Sequence, residues 1–244
     1  MNTRCTVGVL GGLGPAATVD FMARLIATTP AATDQEHLRL LVDHNPTLPN
    51  RHDAVAGRSP SVGPALAAMA RGLERAGADC LVMVCNTAHA WEADIRAAVD
   101  IPFLSIIDAT VDALDERAPA RVGVMAADGC LEAGLYQRAL AARGREAVLW
   151  SPAEQAAFMA LVYRVKAGER GPALTTALAA LADALAARGA EALIAACTEI
   201  PLVLSQGDAP LPLYASTDLL VARTLAFADA TPGPAPEQGA LAHG

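Results

Sequence analysis

The chain is short of positive charge and has no long uninterrupted run of apolar residues. Its 244 residues include 18 Lys and Arg against 26 Asp and Glu, which gives a net charge of −8. Because no basic cluster occurs, we expect no nucleic-acid partner. Although 53% of the residues are hydrophobic, no apolar run reaches the roughly 18 residues of a membrane-spanning helix. The N-terminal apolar run breaks into glycines too early for a signal peptide, so we expect a cytoplasmic protein.

The usual motifs for metals and nucleotides are also missing. The five cysteines are odd in number, and neither a Cys-x-x-Cys nor a His-x-x-x-His pair occurs. We therefore expect free thiols, with no disulfide framework and no zinc site. The loop GGLGPAAT (11–18) matches neither the dinucleotide fingerprint nor the P-loop, which argues against a nucleotide. It could present N–H groups to a carboxylate, or it could be a plain strand-to-helix turn.

Short apolar strands alternate with alanine-rich helical segments, which is typical of a parallel sheet covered by helices. Strands are predicted at 6–10, 38–44, 80–85, 103–107 and 146–152. Helices are predicted at about 15–28, 61–76, 88–98 and 172–187.

The pattern occurs twice along the chain. RVGVMAADGC (121–130) matches TVGVLGGLGP (6–15), and EALIAACTEIP (191–201) matches DCLVMVCNTAH (79–89). This internal duplication predicts an α/β protein of two pseudo-symmetric domains, each a parallel sheet flanked by helices. The first domain is expected at 1–116, with about 211–228 able to pack back on it, and the second at 117–210. The Pro- and Gly-rich tail, 229–244, is predicted to be disordered.

Two cysteines occupy equivalent places in the duplication. Cys85 and Cys197 each end the third strand of their half, and strand ends are the ligand side of open parallel sheets. Thiols on opposite faces of one carbon suit racemisation, because one removes a proton and the other returns one. A working thiolate needs stabilising donors, for example from a helix beginning near residue 88. A cysteine at a strand end can equally be a packing residue.

Several other polar residues are candidates for binding an acidic ligand. Arg51 lies in the proline-bounded loop NPTLPNR (45–51), and arginine binds carboxylates through two parallel hydrogen bonds. Lys166, the only lysine, could be a dedicated cation or a solvated helix end. His89 and Glu199 could orient the thiols or cap local turns.

Seven segments together resemble the cofactor-independent, two-cysteine aspartate/glutamate racemase family, and most closely its aspartate racemases. They cover about residues 6–225: GGLGPAAT, DQEH (34–37), NPTLPNR, CNTAHAW (85–91), IPFLSIID (101–108), VYRVKAGE (162–169) and CTEIPL (197–202).

The resemblance implies two pseudo-symmetric α/β domains, a site between them, no cofactor or metal, and a homodimer. It implies Cys85 and Cys197 as the acid/base pair. The substrate-binding residues that it implies are Thr47, Arg51, Asn86, Thr87, Ala88, Lys166, Thr198 and Glu199. Many members have Gln and Asp at the positions of Thr47 and Asn50, so the substrate side chain is the least specified feature.

The expected activity is interconversion of L- and D-aspartate without pyridoxal phosphate. A glutamate or broad-specificity amino-acid racemase is the alternative within the same chemistry. A non-catalytic binding protein for small acids and a thiol hydrolase using Cys85 and His89 are alternatives of other classes.

Overall fold

A computed structural model describes residues 4–231 of the chain. The strands are β1 Val7–Gly11, β2 Leu40–His44, β3 Cys80–Met83, β4 Phe103–Leu104, β5 Arg121–Ala126, β6 Glu146–Val148, β7 Ala192–Ala196 and β8 Leu213–Ala215. The helices are α1 Pro15–Thr28, α2 Arg51–Val55, α3 Gly63–Arg75, α4 Glu92–Arg96, α5 Ile106–Asp112, α6 Asp128–Glu132, α7 Leu135–Ala141, α8 Pro152–Lys166, α9 Pro172–Ala187 and α10 Ser216–Ala230. Among these helices none is both long enough and apolar enough to cross a bilayer.

The strands form two parallel sheets of the same topology. One has the order β2-β1-β3-β4 and the other β6-β5-β7-β8. Each pairing is parallel, for example Val9 with Val82 in the first sheet and Val124 with Ile194 in the second. The predicted α/β class and the two pseudo-symmetric parallel sheets are therefore confirmed.

Both faces of each sheet are buried because side chains alternate between two cores along every strand. Val9 and Val124 lie in a central core to which both sheets and helices α1, α5, α7 and α10 contribute. Leu81 and Leu193 point to the opposite faces, which α3 covers in the first half and α8 and α9 cover in the second. The molecule is thus a stack of layers in which one helical layer serves both sheets.

One glycine in each half allows a helix to approach its sheet closely. A Cβ atom on Gly8 would lie 2.6 Å from Leu81 Cδ2 and 3.2 Å from Leu73 Cβ of α3. A Cβ atom on Gly123 would lie 2.6 Å from Leu193 Cδ2 and 3.1 Å from the Cβ atom of Leu185 in α9. The duplication therefore extends from the strand pattern to the packing distance between helix and sheet.

The last helix joins the two halves. Helix α10 follows β8 of the second sheet and packs against α5 and α1. Arg24 of α1 pairs with Asp218 at the start of α10. α10 continues to Ala230, so the first two residues of the segment assigned to a tail are helical. The remainder of that predicted tail, 232–244, lies outside the described residues.

A buried hydrogen-bond network connects the ends of the two central strands. The hydroxyl of Tyr136 in α7 donates to Asn86 Oδ1 at 2.7 Å, and Asn86 Nδ2 donates to Ser216 Oγ at 3.0 Å. Ser216 Oγ in turn donates to the carbonyl of Ala195 at 2.8 Å. The side chains of all three polar residues are at most 3% exposed. The network runs from the residue after Cys85 to a residue two positions before Cys197.

Three predicted elements are shorter than the sequence indicates. The strand expected at 103–107 ends at Leu104, because the Ser105 side chain accepts from the Asp108 N–H and starts helix α5. The strand expected at 146–152 ends at Val148, since Ser151 and Glu154 form a capping box for α8. The helix expected at 88–98 is a 3₁₀ turn, Thr87–Trp91, followed by the short helix α4.

Tyr136→Phe should destabilise the protein. The substitution removes the donor to Asn86 Oδ1, and a buried acceptor left without its partner costs about 1–3 kcal/mol. Urea unfolding followed by circular dichroism measures the change in free energy. Tyr163→Phe is the matched control, because the Tyr163 side chain is 48% exposed and its change should stay within about 0.5 kcal/mol. Equal effects of the two substitutions would contradict a structural role for the network.

Candidate active site

Both candidate cysteines line a single cavity between the two halves of the chain. The cavity has a volume of about 250 Å³ and lies beyond the carboxyl ends of β3 and β7. Cys197 follows β7 directly, whereas Val84 separates Cys85 from the end of β3, and each cysteine is 7% exposed. The equivalent strand ends therefore contribute one thiol each to the same enclosed space.

The Cys85 thiol lies among groups that favour its ionised form. Burial raises its pKa, but the charges of Arg51 and Lys166 and the backbone N–H of Ala88 act in the opposite direction. The Ala88 N–H belongs to the 3₁₀ turn Thr87–Trp91, which takes the place of the expected α-helix. A thiolate formed here would be stabilised by a backbone donor and two cations.

The Cys197 thiol has a carboxylate beside it. Its Sγ atom donates to Glu199 Oε2 at 3.1 Å. Burial and the negative charge of Glu199 raise the pKa of Cys197 well above its ordinary value, and the charge of Lys166 opposes this. Glu199 is itself buried and forms an ion pair with Lys166. The pKa of both thiols is therefore raised, but that of Cys197 is raised further by the Glu199 carboxylate, so Cys85 is the thiol that ionises more easily.

Arg51 lines the cavity with part of its hydrogen-bonding capacity already used. Its guanidinium donates to the carbonyl oxygens of Leu48, Pro49 and Leu13, at 3.3, 3.0 and 3.0 Å. These bonds tie the loop before α2 to the loop after β1. Nε and one Nη2 hydrogen remain for a ligand, because the guanidinium has five N–H donors.

Lys166 lies at the carboxyl end of α8 and reaches the cavity from the second half of the chain. Its ammonium pairs with Glu199, and the Lys166 side chain is 28% exposed. Burial is the largest single effect and lowers the pKa of Lys166, but the charge of Glu199, its hydrogen bond to Lys166 and the two nearby thiols together raise the pKa above its ordinary value. The ammonium therefore stays charged and has donors beyond the one that Glu199 accepts.

The remaining predicted binding residues fall into two groups. Asn86, Thr87 and Thr198 line the cavity. Ala88 is fully buried and contributes its backbone N–H to Cys85. Thr47 is an exception: it is exposed, its hydroxyl donates to Asn45 Oδ1 at 2.7 Å, and it is not among the residues that line this cavity.

His89 holds the backbone around Cys85 in place. The Ile106 N–H donates to Nε2 at 3.1 Å, so Nδ1 carries the hydrogen and donates to the Cys85 carbonyl at 2.8 Å. Burial lowers the pKa of His89 to about 4, which keeps the ring neutral. With both ring nitrogens bonded to the backbone, His89 has no free nitrogen to act as a base for the Cys85 thiol.

Two further cavity residues with polar side chains, His52 and Tyr163, were not singled out from the sequence. The Gly129 N–H of the second half donates to His52 Nδ1 at 3.3 Å, which places the ring hydrogen of neutral His52 on Nε2. Burial and the charge of Lys166 lower the pKa of His52. Only a weak signal in the sequence indicates that these two residues belong to the site, which is their closeness to predicted binding residues. His52 follows Arg51 directly, and Tyr163 lies three residues before Lys166 on α8.

No three side chains of His, Cys, Asp or Glu within residues 4–231 converge closely enough to hold a metal ion. The groups that face the cavity include two thiols, neutral hydrogen-bond donors, two cations and one carboxylate, which is paired with Lys166. Such a site can bind a small anion and exchange a proton with it on two sides.

Comparisons with known proteins find racemases of similar sequence and fold. The broad-specificity amino-acid racemase RacX of Bacillus subtilis is 25% identical over 228 residues, which cover 90% of this chain and 96% of that protein. The Picrophilus torridus aspartate racemase structure superposes with a TM-score of 0.83 at 28% identity, covering 92% of this chain and 94% of that one. The glutamate racemase of Francisella tularensis, in complex with D-glutamate, shares the fold with a TM-score of 0.68 at 16% identity, covering 93% and 81% of the two chains.

A family model provides the assignment, because it matches almost the whole described part of the chain. The match runs from residue 10 to residue 224 and includes both cysteines, Arg51 and Lys166. The chain belongs to the Asp/Glu/hydantoin racemase family.

Proposed function

We propose that the protein is a cofactor-independent racemase that interconverts L- and D-aspartate by proton transfer between two thiols. The observation that carries this proposal is the placement of Cys85 and Cys197 in one cavity, each at the end of an equivalent strand. One thiolate removes the Cα proton from one face, and the opposite thiol gives its proton to the other face. The reaction consumes no other reagent, so no cofactor is required.

The difference between the thiols sets the starting state of the reaction. Cys85 is the thiol that ionises first and Cys197 the one that keeps its proton, because only Cys197 has a carboxylate that accepts its hydrogen. The enantiomer whose Cα–H faces Cys85 is deprotonated directly by the resting enzyme. Turnover leaves the opposite arrangement, in which Cys197 is the thiolate beside the charge of Lys166.

The substrate carboxylates have donors at two ends of the cavity. Asn86, Thr87 and Thr198 lie next to the thiols and would bind the α-carboxylate, where negative charge develops as the proton leaves. Arg51 and Lys166 would bind the side-chain carboxylate with the donors that their present partners leave free. Glutamate, one methylene longer, is the nearest competing substrate, and broad amino-acid specificity is the wider alternative.

Two rival functions are less well supported. A thiol hydrolase needs a base for Cys85, and both nitrogens of His89 are engaged by the backbone. A non-catalytic binding protein would not need a second thiol at the equivalent strand end. A homodimer in the cytoplasm is part of the same proposal and is inferred from the sequence.

Cys85→Ser and Cys197→Ser should each abolish racemisation of aspartate. A serine hydroxyl is far less acidic than a thiol and cannot serve as the base at either face. Chiral chromatography follows conversion of each enantiomer, and proton NMR in D₂O follows exchange at Cα. Cys130→Ser is the control, since Cys130 is a fully buried cysteine and this variant should racemise aspartate. Full racemisation after loss of either cavity thiol would rule out the two-thiol mechanism, and no exchange by the unmodified protein would rule out aspartate as substrate.

Glu199→Gln should shift the pH dependence of one reaction direction. The negative charge of Glu199 raises the pKa of Cys197 and the charge of Lys166 lowers it, so removing the carboxylate lowers that pKa. Initial rates for the enantiomer deprotonated by Cys197 should then rise at lower pH than in the wild type. Rates for the other enantiomer should shift less, because Glu199 is only a minor cause of the Cys85 shift.

Glu169→Gln is the matched control for this pH experiment. Glu169 is an exposed carboxylate paired with Arg164, and its removal should leave both profiles unchanged. Equal shifts of both profiles in Glu199→Gln would contradict the assignment of Glu199 to Cys197.

A further inference from the structure

A second cavity adjoins the one that contains the thiols. It has a volume of about 320 Å³ and shares Arg51, Lys166 and Glu199 with the first cavity. Its remaining walls are glycines and apolar residues: Pro15, Ala16, Pro46, Val165 and Leu202. The three shared residues therefore form the partition between a polar cavity with the thiols and a larger cavity with apolar walls.

One side of the partition is fixed and the other is movable. Arg51 is held by three backbone carbonyls, one of which is Leu13 between the two loop glycines. Lys166 and Glu199 touch each other through side chains, and the Lys166 ammonium is carried on a flexible four-carbon stem. Rotation of the Lys166 side chain would join the two cavities without any change in the backbone.

The position of Glu199 depends on a glycine on the far side of the partition. A Cβ atom on Gly14 would lie 2.5 Å from Glu199 Oε1. The carboxylate thus occupies space that only glycine leaves open at the beginning of α1. The Glu199 side chain is 6% exposed and the Lys166 side chain 28%, so the carboxylate of the ion pair is buried between the two cavities while the lysine reaches the rim.

We propose that the second cavity receives the side chain of amino acids longer than aspartate, and that the Lys166–Glu199 ion pair is the gate through which this side chain passes. The inference rests on the proposed function, which directs the substrate side chain toward Arg51 and Lys166. The substrate class is α-amino acids with uncharged, unbranched side chains. The apolar walls beyond the partition favour such a chain, whereas a charged end group that passed Arg51, Lys166 and Glu199 would lose its hydration among these walls.

A larger side chain in the second cavity should lower the activity with long substrates and leave the activity with short substrates unchanged. Ala16 is exposed on α1 and lines the second cavity but not the first. Ala16→Leu and Ala16→Phe should lower kcat/KM for L-norleucine progressively, by about tenfold or more for the larger side chain. kcat/KM for L-aspartate should stay within about twofold of wild type, because aspartate ends at the partition. Cα exchange in D₂O and chiral chromatography give both values.

The control lies on the same helix. Ala23 is also exposed on α1 and lines neither cavity, so Ala23→Phe should leave both substrates unaffected. Thermal unfolding of every variant checks that the helix still folds.

The possible outcomes separate this inference from the proposed function. Exchange with aspartate but none with norleucine in the wild type overturns the inference and leaves the racemase proposal standing. An equal loss for both substrates in Ala16→Phe overturns the inference as well. Exchange with neither substrate overturns both proposals.

Discussion

The hydrogen bond from Tyr136 to Asn86 holds together the two strand ends on which the cavity is built. Asn86 follows Cys85 in the first half, and Tyr136 belongs to α7 of the second. Through Ser216 the same network reaches the carbonyl of Ala195, close to Cys197. Because these groups are buried, each depends on its partner, and they fix the distance between the loops that carry the thiols. Tyr136 and Ser216 are not among the residues that line the thiol cavity, whereas Asn86 is. The positions of the acid and the base are thus a property of the packing between the halves.

The duplication gives the two halves similar strand ends, and the carboxylate of Glu199 makes the surroundings of their two thiols different. Both thiols are buried to the same extent, and burial raises the pKa of each. Each thiol has a backbone donor beside it, but only Cys197 also has a carboxylate, that of Glu199, as its acceptor. Lys166 lies close enough to affect both thiols and is also the partner of Glu199. One ion pair therefore sets the protonation of the thiols, the charge available to a substrate carboxylate and the separation between two cavities.

The sequence predicted the parts of the structure that depend on periodicity and repetition. Helices α1 and α9 have the predicted bounds, and the short apolar runs of β1 and β3 identified both as strands. Elements set by a local cap, such as α5 after Ser105, were mistaken for longer strands because β-branched residues continue past the cap. The pairing of Lys166 with Glu199, 33 residues apart, and the tautomer of His89 depend on tertiary contacts. The family resemblance implied Thr47 as a substrate-binding residue, but its hydroxyl donates a hydrogen bond to Asn45 instead.

The central helical layer has a consequence for how the protein can move. Helices α1, α5, α7 and α10 fill a core to which both sheets contribute, from Val9 on one side to Ile194 on the other. A hinge motion that separated the halves would expose this apolar surface to water, and large hydrophobic interfaces between domains resist such motion. The halves should consequently unfold as one cooperative unit. Access to the buried thiols then has to come from side chains at the rim, such as the exposed Tyr163 and the flexible Lys166, while the sheets remain in place.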